Sequence, residues 1–318
     1  MGFDREYDKR RPENTHVAVL MGGWSAEREV SLSTGRACTR ALEEAGYTVT
    51  QIDAKPDISR VLDDLWPDVV FNALHGKWGE DGTVQGILET LKIPYTHSGI
   101  LASALAMDKQ RSKALFRDAE IPVAESKVVP IEEAAAEHMM EMPYVIKPVA
   151  EGSSVGVHVV TRGANGPPEN LLSERDTYGG HVMVERFVPG LELTCAVLAD
   201  VALGVTEILP VEGFYDYRAK YVEGASEHII PAKIPHTVYR KIQQYSLMAH
   251  NALGCRGVTR ADFRFDEKVG DQGDLILLEV NTQPGMTGTS LVPELAEHAG
   301  HTFPELLHWM VQDASINR

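Results

Sequence analysis

The sequence predicts an α/β fold made of three units of roughly 100 residues each. Between residues 15 and 99, short apolar runs alternate with segments of helical periodicity, as in a parallel sheet covered by helices. Further along, the apolar runs follow one another more closely, which is typical of antiparallel strand pairs. The length of 318 residues is enough for two or three compact domains.

The first unit contains three predicted strands and two predicted helices. Its first helix has alanines at helical spacing, Ala37, Ala41 and Ala45, and Gly46 follows as a stop signal. Polar loops follow the strands, at the edge of the sheet where ligands bind in such folds. The three strands and the second helix are predicted at residues 15–23, 47–53, 68–74 and 82–92.

The other two units combine strands and helices less regularly. The segments "ELTCAVLAD" and "VALGVTEIL" are expected to pair as antiparallel neighbours. The segments "GVTRADFRFDE" and "LILLEVN" flank "KVGDQGD", which is a hairpin signal. Helices are predicted at residues 100–119, 131–140, 236–253, 291–298 and 303–313.

These elements divide the chain into a short extension and three domains. Residues 1–14 are charged and lack a secretory apolar core, so we expect a mobile extension outside the fold. The domain with the parallel sheet is predicted at 15–99. Two α+β domains are predicted at 100–185 and 186–318.

The composition argues against several classes of function. The chain has 30 Lys and Arg residues against 46 Asp and Glu residues, a net charge of −16, whereas nucleic-acid binding requires clustered basic residues. The three cysteines form no CxxC pair, so neither a disulfide framework nor a zinc site is expected. No apolar run approaches the roughly 20 residues that span a bilayer. We therefore expect a cytoplasmic protein with neither a nucleic-acid nor a membrane partner.

Two predicted neighbouring strands carry a candidate metal site. Glu279 and Asn281 are two residues apart and therefore share one face of a strand, and Arg260 and Asp262 share a face in the same way. Pairing of the two strands would bring both carboxylates and the amide together, and such oxygen ligands suit Mg²⁺. The alternative is a salt bridge between Arg260 and Asp262 with no ligand.

A glycine-rich segment and separate lysines form a candidate anion site. The segment "AEGSSVGV" (150–157) could bring backbone N–H groups close to a ligand, although a flexible β-turn is the alternative. Lys147 lies within an apolar strand, where an ammonium group needs an anionic partner or solvent. Lys109 and Lys220 could join it at a polyphosphate, although Lys109 also suits a solvated helix face. Neither a G-x-G-x-x-G motif nor a P-loop is present.

The loops of the first unit supply two further candidates. Glu27 precedes a predicted helix, where a carboxylate either complements the helix dipole or captures an ammonium group. His75 follows a strand and could contact a substrate carboxylate, and a structural histidine is the alternative.

Several segments match one family pattern in the same order along the chain. They are "GGWSAEREVSL", "ALHGKWGEDGTVQG", "SALAMDKQRSK", "VIKPVAEGSSVG", "VERFVPGLELT", "FYDYRAKY", "TRADF" and "LLEVNTQPGMTGTSLVP". With these segments the chain closely resembles the D-alanine–D-alanine ligases, members of the ATP-grasp superfamily, from about residue 16 to residue 312. Several motifs in order are more specific than any single signature.

The resemblance implies an ATP-grasp fold in which three domains enclose ATP between two antiparallel sheets. It implies ATP-dependent ligation of two D-alanine molecules through a D-alanyl phosphate, with release of ADP and phosphate, for peptidoglycan precursor synthesis. ATP would be a co-substrate, accompanied by two Mg²⁺ or Mn²⁺ ions. A homodimer is also expected from the resemblance.

The resemblance assigns roles at the nucleotide. Lys109 and Lys147 would contact phosphates, the loop 150–156 would close over them, and Lys220 would reach the terminal phosphate from a lid. The metal ligands would be Asp262, Glu279 and Asn281. Adenine and ribose would be surrounded by Glu185, Arg186, Val188 and Glu192.

The resemblance also assigns the first amino-acid subsite. Glu27 would hold the ammonium group of the first D-alanine, and His75 would lie near its carboxylate. Ser153 and Tyr221 would hydrogen-bond with Glu27 and close the site. Related ligases that use D-lactate often carry histidine at the lid position of Tyr221, so the tyrosine favours an amine as second nucleophile.

At the second subsite, Ser290 and Leu291 would receive the carboxylate of the second D-alanine. Arg260, with the backbone of Gly285, would stabilise the oxyanion that forms during transfer.

Two departures and three alternatives accompany this interpretation. Trp24 and Trp78 are bulkier than the small residues expected there and would alter packing around the first subsite. A D-lactate or D-serine ligase of the same fold is the nearest alternative. The others are a non-catalytic ATP-binding module and a nicotinamide-dependent oxidoreductase, although the latter lacks its fingerprint glycines.

Overall fold

Three β-sheets organise the part of the chain that the structure describes. The computed structural model describes residues 10–152, 156–210, 226–270, 272–288 and 290–318. One sheet is parallel with three strands, and the other two are antiparallel with four and five strands. No helix in these ranges is long and apolar enough to cross a lipid bilayer.

The parallel sheet has the strand order β2-β1-β3. Its middle strand, β1, is buried along almost its whole length because helices cover both faces of the sheet. The predicted alternation of strands and helices is confirmed for this domain. Its elements are β1 (His16–Gly22), α1 (Arg28–Glu44), β2 (Thr48–Ala54), α2 (Ile58–Leu65), β3 (Val69–Asn72) and α3 (Thr83–Leu91).

The four-stranded sheet has the strand order β4-β7-β5-β6, and all its neighbours are antiparallel. Apolar residues of β5 and β7 pack beneath two short helices. The predicted helix 131–140 ends earlier, at Ala136, because Glu137 is already extended. The elements are β4 (Ser126–Pro130), α6 (Ile131–Ala136), β5 (Tyr144–Pro148), β6 (His158–Val160), α7 (Arg175–Tyr178) and β7 (His181–Arg186).

The five-stranded sheet has the strand order β10-β9-β8-β11-β12 and is antiparallel throughout. The predicted pairing of the two apolar segments in β8 and β9 is confirmed, as is the hairpin formed by β11 and β12. The strands are β8 (Leu191–Leu198), β9 (Val201–Pro210), β10 (Ser226–Ile229), β11 (Val258–Asp266) and β12 (Asp274–Asn281). The helices that follow β10 and β12 are α8 (His236–Ala252), α9 (Leu291–His298) and α10 (Phe303–Asp313).

The predicted helix 100–119 consists of two helices, α4 (Ile100–Met107) and α5 (Lys109–Asp118). Asp108 interrupts it with an extended backbone, and its side chain accepts hydrogen bonds from the backbone N–H groups of Gln110 and Arg111. The aspartate thus caps α5 in preference to continuing α4.

Helices α4 and α5 pack against the five-stranded sheet. Ala106 and Phe116 share a buried cluster with Phe263 and Leu277 of that sheet. These two helices therefore share the core of the five-stranded sheet, while the domain boundaries at 100–185 stay a prediction.

The last two helices return to the parallel sheet at the start of the chain. Leu306 and Met310 of α10 share one buried cluster with Val17, Val19 and Phe71 of that sheet. The core of the first domain is therefore completed by the carboxyl-terminal residues.

The prediction that residues 1–14 lie outside the fold is wrong for residues 10–14. The guanidinium of Arg10 donates hydrogen bonds to the carbonyls of Val311, Gln312 and Ala314 at 2.9–3.2 Å. A 3-10 turn, Pro12–Asn14, then leads into β1. The physical reason is that the end of α10 leaves carbonyl groups that need donors. Residues 1–9 lie outside the described ranges.

We expect Arg10→Ala to lower the free energy of unfolding by about 2 kcal/mol, because hydrogen bonds from a charged donor to three carbonyls are lost. Denaturant titration of the full-length chain measures the change. Arg11→Ala is the matched control, because Arg11 is the next residue along the chain and its side chain is exposed. Equal stability of the two variants would contradict a structural role for Arg10.

Candidate active site

A deep cleft lies between the four-stranded and the five-stranded sheets. The space between its walls, including the part open to solvent, is about 820 Å³. Strands β5 and β7 line one side, and β8, β11 and β12 line the other. The lining residues are Lys109, Val145, Lys147, Pro148, Glu151, Gly152, Val157, Glu185, Arg186, Phe187, Val188, Glu192, Asp262, Arg264, Leu278 and Glu279.

The predicted carboxylate cluster is brought together by the β11–β12 hairpin. Asp262 lies directly opposite Glu279, and Arg260 lies opposite Asn281. The register of the strand pair shifts immediately after Asp262, and such an irregularity bends the strand locally. The predicted proximity of these residues is confirmed, whereas their role as metal ligands stays a prediction.

Cations of the protein already contact both carboxylates. Arg260 donates to the two oxygens of Asp262 at 2.8 and 2.7 Å, and Thr194 donates to the same carboxylate at 2.6 Å. Lys109 Nζ lies 3.3 Å from Glu279 Oε2. The salt bridge that the sequence offered as an alternative to a ligand site is therefore present. A set of carboxylate and amide oxygens that attracts cations in this way also fits Mg²⁺.

Lys109 connects the two sides of the cleft. Besides Glu279 on β12, its ammonium group donates to the backbone carbonyl of Glu151 at 2.6 Å. The Glu151 carboxylate in turn forms an ion pair with Lys77 of the first domain. Lys109 is only 9% exposed, so the alternative that it is a solvated helix residue is wrong.

Lys147 and Glu185 form a buried ion pair on the other side of the cleft. Lys147 Nζ lies 2.6 Å from Glu185 Oε1, which is the anionic partner that its apolar strand requires. The second oxygen of Glu185 is bound by Lys113 from α5. Burial alone would raise the pKa of Glu185, but the two ammonium groups hold it below its usual range.

Lys113 is a residue that the sequence interpretation missed. It follows Lys109 by four residues, so the two side chains lie on the same face of α5. The side chain is fully buried, and burial lowers its pKa to about 8. The helical spacing of the two lysines was the available signal.

The other residues assigned to adenine and ribose lie around the same end of the cleft. Glu192 is paired with Arg264 at 3.0 Å, and the carbonyl of Val188 accepts from the same arginine at 3.0 Å. Arg186 forms an ion pair with Asp274 at 2.8 Å, on the hairpin of the five-stranded sheet. Arg264 therefore holds two of the residues assigned to the nucleotide, Val188 and Glu192, in place.

The loops of the first domain place Glu27 beside His75. Glu27 immediately precedes α1, as predicted, and its side chain is buried. His75 Nδ1 lies 3.2 Å from Glu80 Oε1, and His75 Nε2 lies 3.0 Å from Thr34 Oγ1. Ligand atoms of Glu27, His75 and Glu80 all lie within 4.8 Å of one another. Glu80, which belongs to the quoted "HGKWGEDG" segment, is a second residue that the interpretation missed.

The first-domain loop also approaches the glycine-rich segment. A Cβ atom added to Gly152 would lie 2.8 Å from Glu27 Oε1, so the absence of a side chain lets the two segments come together. Residues 153–155 and 211–225 lie outside the described ranges, and with them the assignments to Ser153, Lys220 and Tyr221.

The residues assigned to the second amino acid lie around the start of α9. Ser290 Oγ accepts a hydrogen bond from the backbone N–H of Thr287 at 2.9 Å, and it lies next to Gly285. Leu291 is buried against Ile208. Their assignment to substrate stays a prediction.

Trp24 and Trp78 pack against each other, with ring centroids 4.3 Å apart. Trp24 belongs to the loop that carries Glu27, and Trp78 belongs to the loop that carries His75. The stack therefore joins the two loops, and Ser25 adds a hydrogen bond from its hydroxyl to the His75 carbonyl at 2.6 Å. Its effect on the first subsite stays a prediction.

A buried polar network connects the hairpin to the first domain. Gln283, just after β12, donates to the carbonyl of Asn72 at the end of β3 and lies 3.3 Å from His97 Nδ1. Its backbone N–H donates to Asn281 Oδ1 at 2.8 Å. Burial lowers the pKa of His97 to about 3, so its imidazole is neutral in the folded protein.

Comparisons with known proteins agree with this geometry. Residues 62–98 match the family model described as D-ala D-ala ligase N-terminus, and residues 115–312 match D-ala D-ala ligase C-terminus. A D-alanine–D-alanine ligase from Parvibaculum lavamentivorans is 60% identical over 95% of this chain and 98% of its own length. One from Rhizobium meliloti is 59% identical over 95% of this chain and 99% of its own length.

Solved structures have the same architecture. The Bacillus anthracis D-alanine–D-alanine ligase complexed with ATP matches with a TM-score of 0.76 and 29% identity, over 94% of this chain and 97% of that chain. The D-Ala:D-Ser ligase VanG from Enterococcus faecalis matches with a TM-score of 0.72 and 30% identity, over 92% of this chain and 97% of that chain. The predicted ATP-grasp fold is confirmed.

The neutral, buried His97 generates a pH prediction. Between its unfolded pKa of about 6.5 and its folded pKa of about 3, the unfolded chain binds a proton that the folded chain does not, so stability falls as pH decreases. Between pH 7.5 and 5.5 we expect this residue to remove about 1.4 kcal/mol from the free energy of unfolding.

The comparison is with His97→Asn, since asparagine tolerates the left-handed backbone at this position, where φ is +69°. Denaturant titrations of both proteins at the two pH values give the difference, in which titrating groups remote from His97 cancel. Equal pH dependence of wild type and variant would contradict the prediction.

Proposed function

This chain belongs to the D-alanine–D-alanine ligase family, and we propose that its cleft joins two D-alanine molecules to D-alanyl-D-alanine while ATP is converted to ADP and phosphate. The observation that carries the proposal is the pairing of Asp262 with Glu279 on one side of a cleft whose other side carries the buried Lys147. Anionic oxygens and buried cations facing one cavity suit a metal-bound polyphosphate.

ATP would lie between the two antiparallel sheets. Lys147 and Lys109 would bind its phosphates, since both ammonium groups border the cleft and both are held by carboxylates rather than by solvent. Lys220 would reach the terminal phosphate. Adenine and ribose would lie among Glu185, Arg186, Val188 and Glu192, which line the same cleft.

Two Mg²⁺ or Mn²⁺ ions would be held by Asp262, Glu279 and Asn281, whose donors are all oxygens. The ions, when bound, would neutralise charge on the transferring phosphoryl group. Arg260 contacts Asp262 and Lys109 contacts Glu279. These contacts support the assignment of a site that attracts positive charge.

The first D-alanine would bind at the loops of the first domain. Glu27 would accept hydrogen bonds from its ammonium group, and His75 would lie near its carboxylate. Glu80 and Thr34 fix the ring of His75 from both nitrogens, which supports a positioned rather than a mobile imidazole. Ser153 and Tyr221 would complete this subsite.

The second D-alanine would enter near the start of α9. Ser290 and Leu291 would receive its carboxylate, while Arg260 and the backbone of Gly285 would face the developing oxyanion. The close approach of Ser290 to Gly285 supports a shared subsite.

The reaction would proceed in two steps. The carboxylate of the first D-alanine attacks the γ-phosphorus of ATP, which forms D-alanyl phosphate and releases ADP. The amine of the second D-alanine attacks the acyl carbon, and phosphate leaves as the new amide forms. The lysines would balance charge in the first step and Arg260 in the second, while the closed cleft excludes water.

The product places the protein in cell-wall biosynthesis, as a supplier of the dipeptide for peptidoglycan precursors. A cytoplasmic homodimer is the proposed working form. The absence of paired cysteines supports a reducing compartment.

D-serine is a second candidate for the nucleophile, because VanG, the D-Ala:D-Ser ligase, has the same architecture at 30% identity. D-lactate is the third. We favour D-alanine because the relatives at 59–60% identity are D-alanine–D-alanine ligases. The tyrosine at position 221 argues against D-lactate only, since D-serine is also an amine.

The test incubates the full-length chain with ATP, Mg²⁺ and D-alanine at neutral pH, and measures phosphate and dipeptide. One phosphate per D-alanyl-D-alanine is expected. Parallel reactions add D-serine or D-lactate, and preferential mixed product would reassign the substrate. Nucleotide binding without product would instead indicate a non-catalytic ATP-binding module.

We expect Glu279→Gln to lower turnover by at least about a hundredfold, or ~2.7 kcal/mol of transition-state stabilisation, because the metal site loses a charge. Steady-state kinetics and thermal unfolding give the two measurements, and the fold should persist since glutamine keeps the side-chain shape. Glu267→Gln is the matched control, an exposed carboxylate on the same hairpin. Full activity of Glu279→Gln would contradict the metal assignment.

A further inference from the structure

Lys113 is a fully buried cation that no step proposed above uses. Its ammonium group pairs with Glu185 Oε2, while Lys147 pairs with Glu185 Oε1 at 2.6 Å. Lys147 and Glu185 line the nucleotide cleft, and Lys113 does not. Glu185 is therefore held between one lysine inside the cleft and one lysine behind it.

Lys113, Glu185 and Lys147 form a triad with a surplus of positive charge. Two ammonium groups and one carboxylate sum to a net charge of +1, and the surplus lies on the side of Lys147 because Lys113 is enclosed. Without Lys113, Lys147 and Glu185 would form a neutral pair. A neutral pair attracts phosphates much less than a net positive group, especially in a buried region of low dielectric constant.

The stability of the fold does not explain Lys113. Fully buried lysines are rare, and replacement of buried ion pairs by apolar side chains is often neutral or stabilising. Burial disfavours the charged form here strongly enough to lower the pKa of Lys113 to about 8. A leucine or methionine at this position would avoid this cost.

We propose that Lys113 is a positioning residue that offsets the charge of Glu185 from behind. The positive charge of Lys147 then remains uncompensated and available to the phosphates of a nucleotide. The inference rests on the proposed binding of ATP in the cleft. Lys113 itself does not touch the nucleotide, and its effect passes through Glu185 to Lys147.

The first experiment measures the affinity of Lys113→Met for Mg²⁺-ATP by calorimetry, on the full-length chain. Methionine keeps the length of the buried stem. The dissociation constant is expected to rise at least about tenfold, equivalent to 1.4 kcal/mol. Adenosine lacks phosphates, so its affinity should change by less than about twofold. A general disturbance of the cleft would weaken both ligands.

A double-mutant cycle is the second experiment. Because Glu185 is itself assigned to adenine and ribose, the reference is Glu185→Gln alone rather than wild type. In that background no carboxylate opposes Lys147, so adding Lys113→Met should raise the dissociation constant for Mg²⁺-ATP by less than about threefold. Arg117→Met is the matched control, since it removes a positive charge one turn further along α5, where the guanidinium donates to Ser126 Oγ, and it should leave the constant unchanged.

Two results would overturn the inference: wild-type affinity in Lys113→Met, or a loss in the Glu185→Gln background as large as the loss in wild type. If Lys113→Met does not fold, Lys113→Gln is expected to give the same loss in wild type and the same small change in the Glu185→Gln background. A wild-type chain that neither binds ATP nor forms dipeptide would overturn the proposed function as well. That outcome is distinguishable because it appears in the unmodified protein.

Discussion

The opposition of two carboxylates across one strand pair governs the architecture of the site. Asp262 faces Glu279 on β11 and β12, and like charges in that arrangement repel each other. Arg260 offsets the first charge from the same strand, while Lys109 must reach the second from α5. The packing of α5 against the five-stranded sheet is what makes that reach available. The hairpin and the helix thus depend on each other.

The same helix compensates charge on both sides of the cleft. Lys109 faces Glu279 on one sheet, and Lys113, one turn later, faces Glu185 on the other. A chain with a net charge of −16 therefore concentrates buried cations where a polyanion would bind. Long-range repulsion from the negatively charged surface would oppose such a ligand, so the affinity has to come from these local, weakly screened groups.

Local sequence signals predicted the elements whose periodicity is strong. The helices at 291–298 and 303–313 and the β11–β12 hairpin agree with the structure because apolar spacing and turn residues determine them locally. The sequence did not reveal that Asp108 divides a helix, since its capping bonds compete with a continuous apolar pattern. The partners of Arg10, Lys113 and Glu80 were also missed. These partners include residues far away in sequence, and spacing carries no information about them.

The packing of α10 against the parallel sheet has a consequence for biosynthesis. Strands β1 and β3 are synthesised long before α10, yet α10 covers one face of their sheet. The nascent first domain must therefore keep that apolar surface uncovered until α10 has been translated, a period in which exposed side chains invite aggregation. The first domain can complete its core only after α10 has emerged from the ribosome.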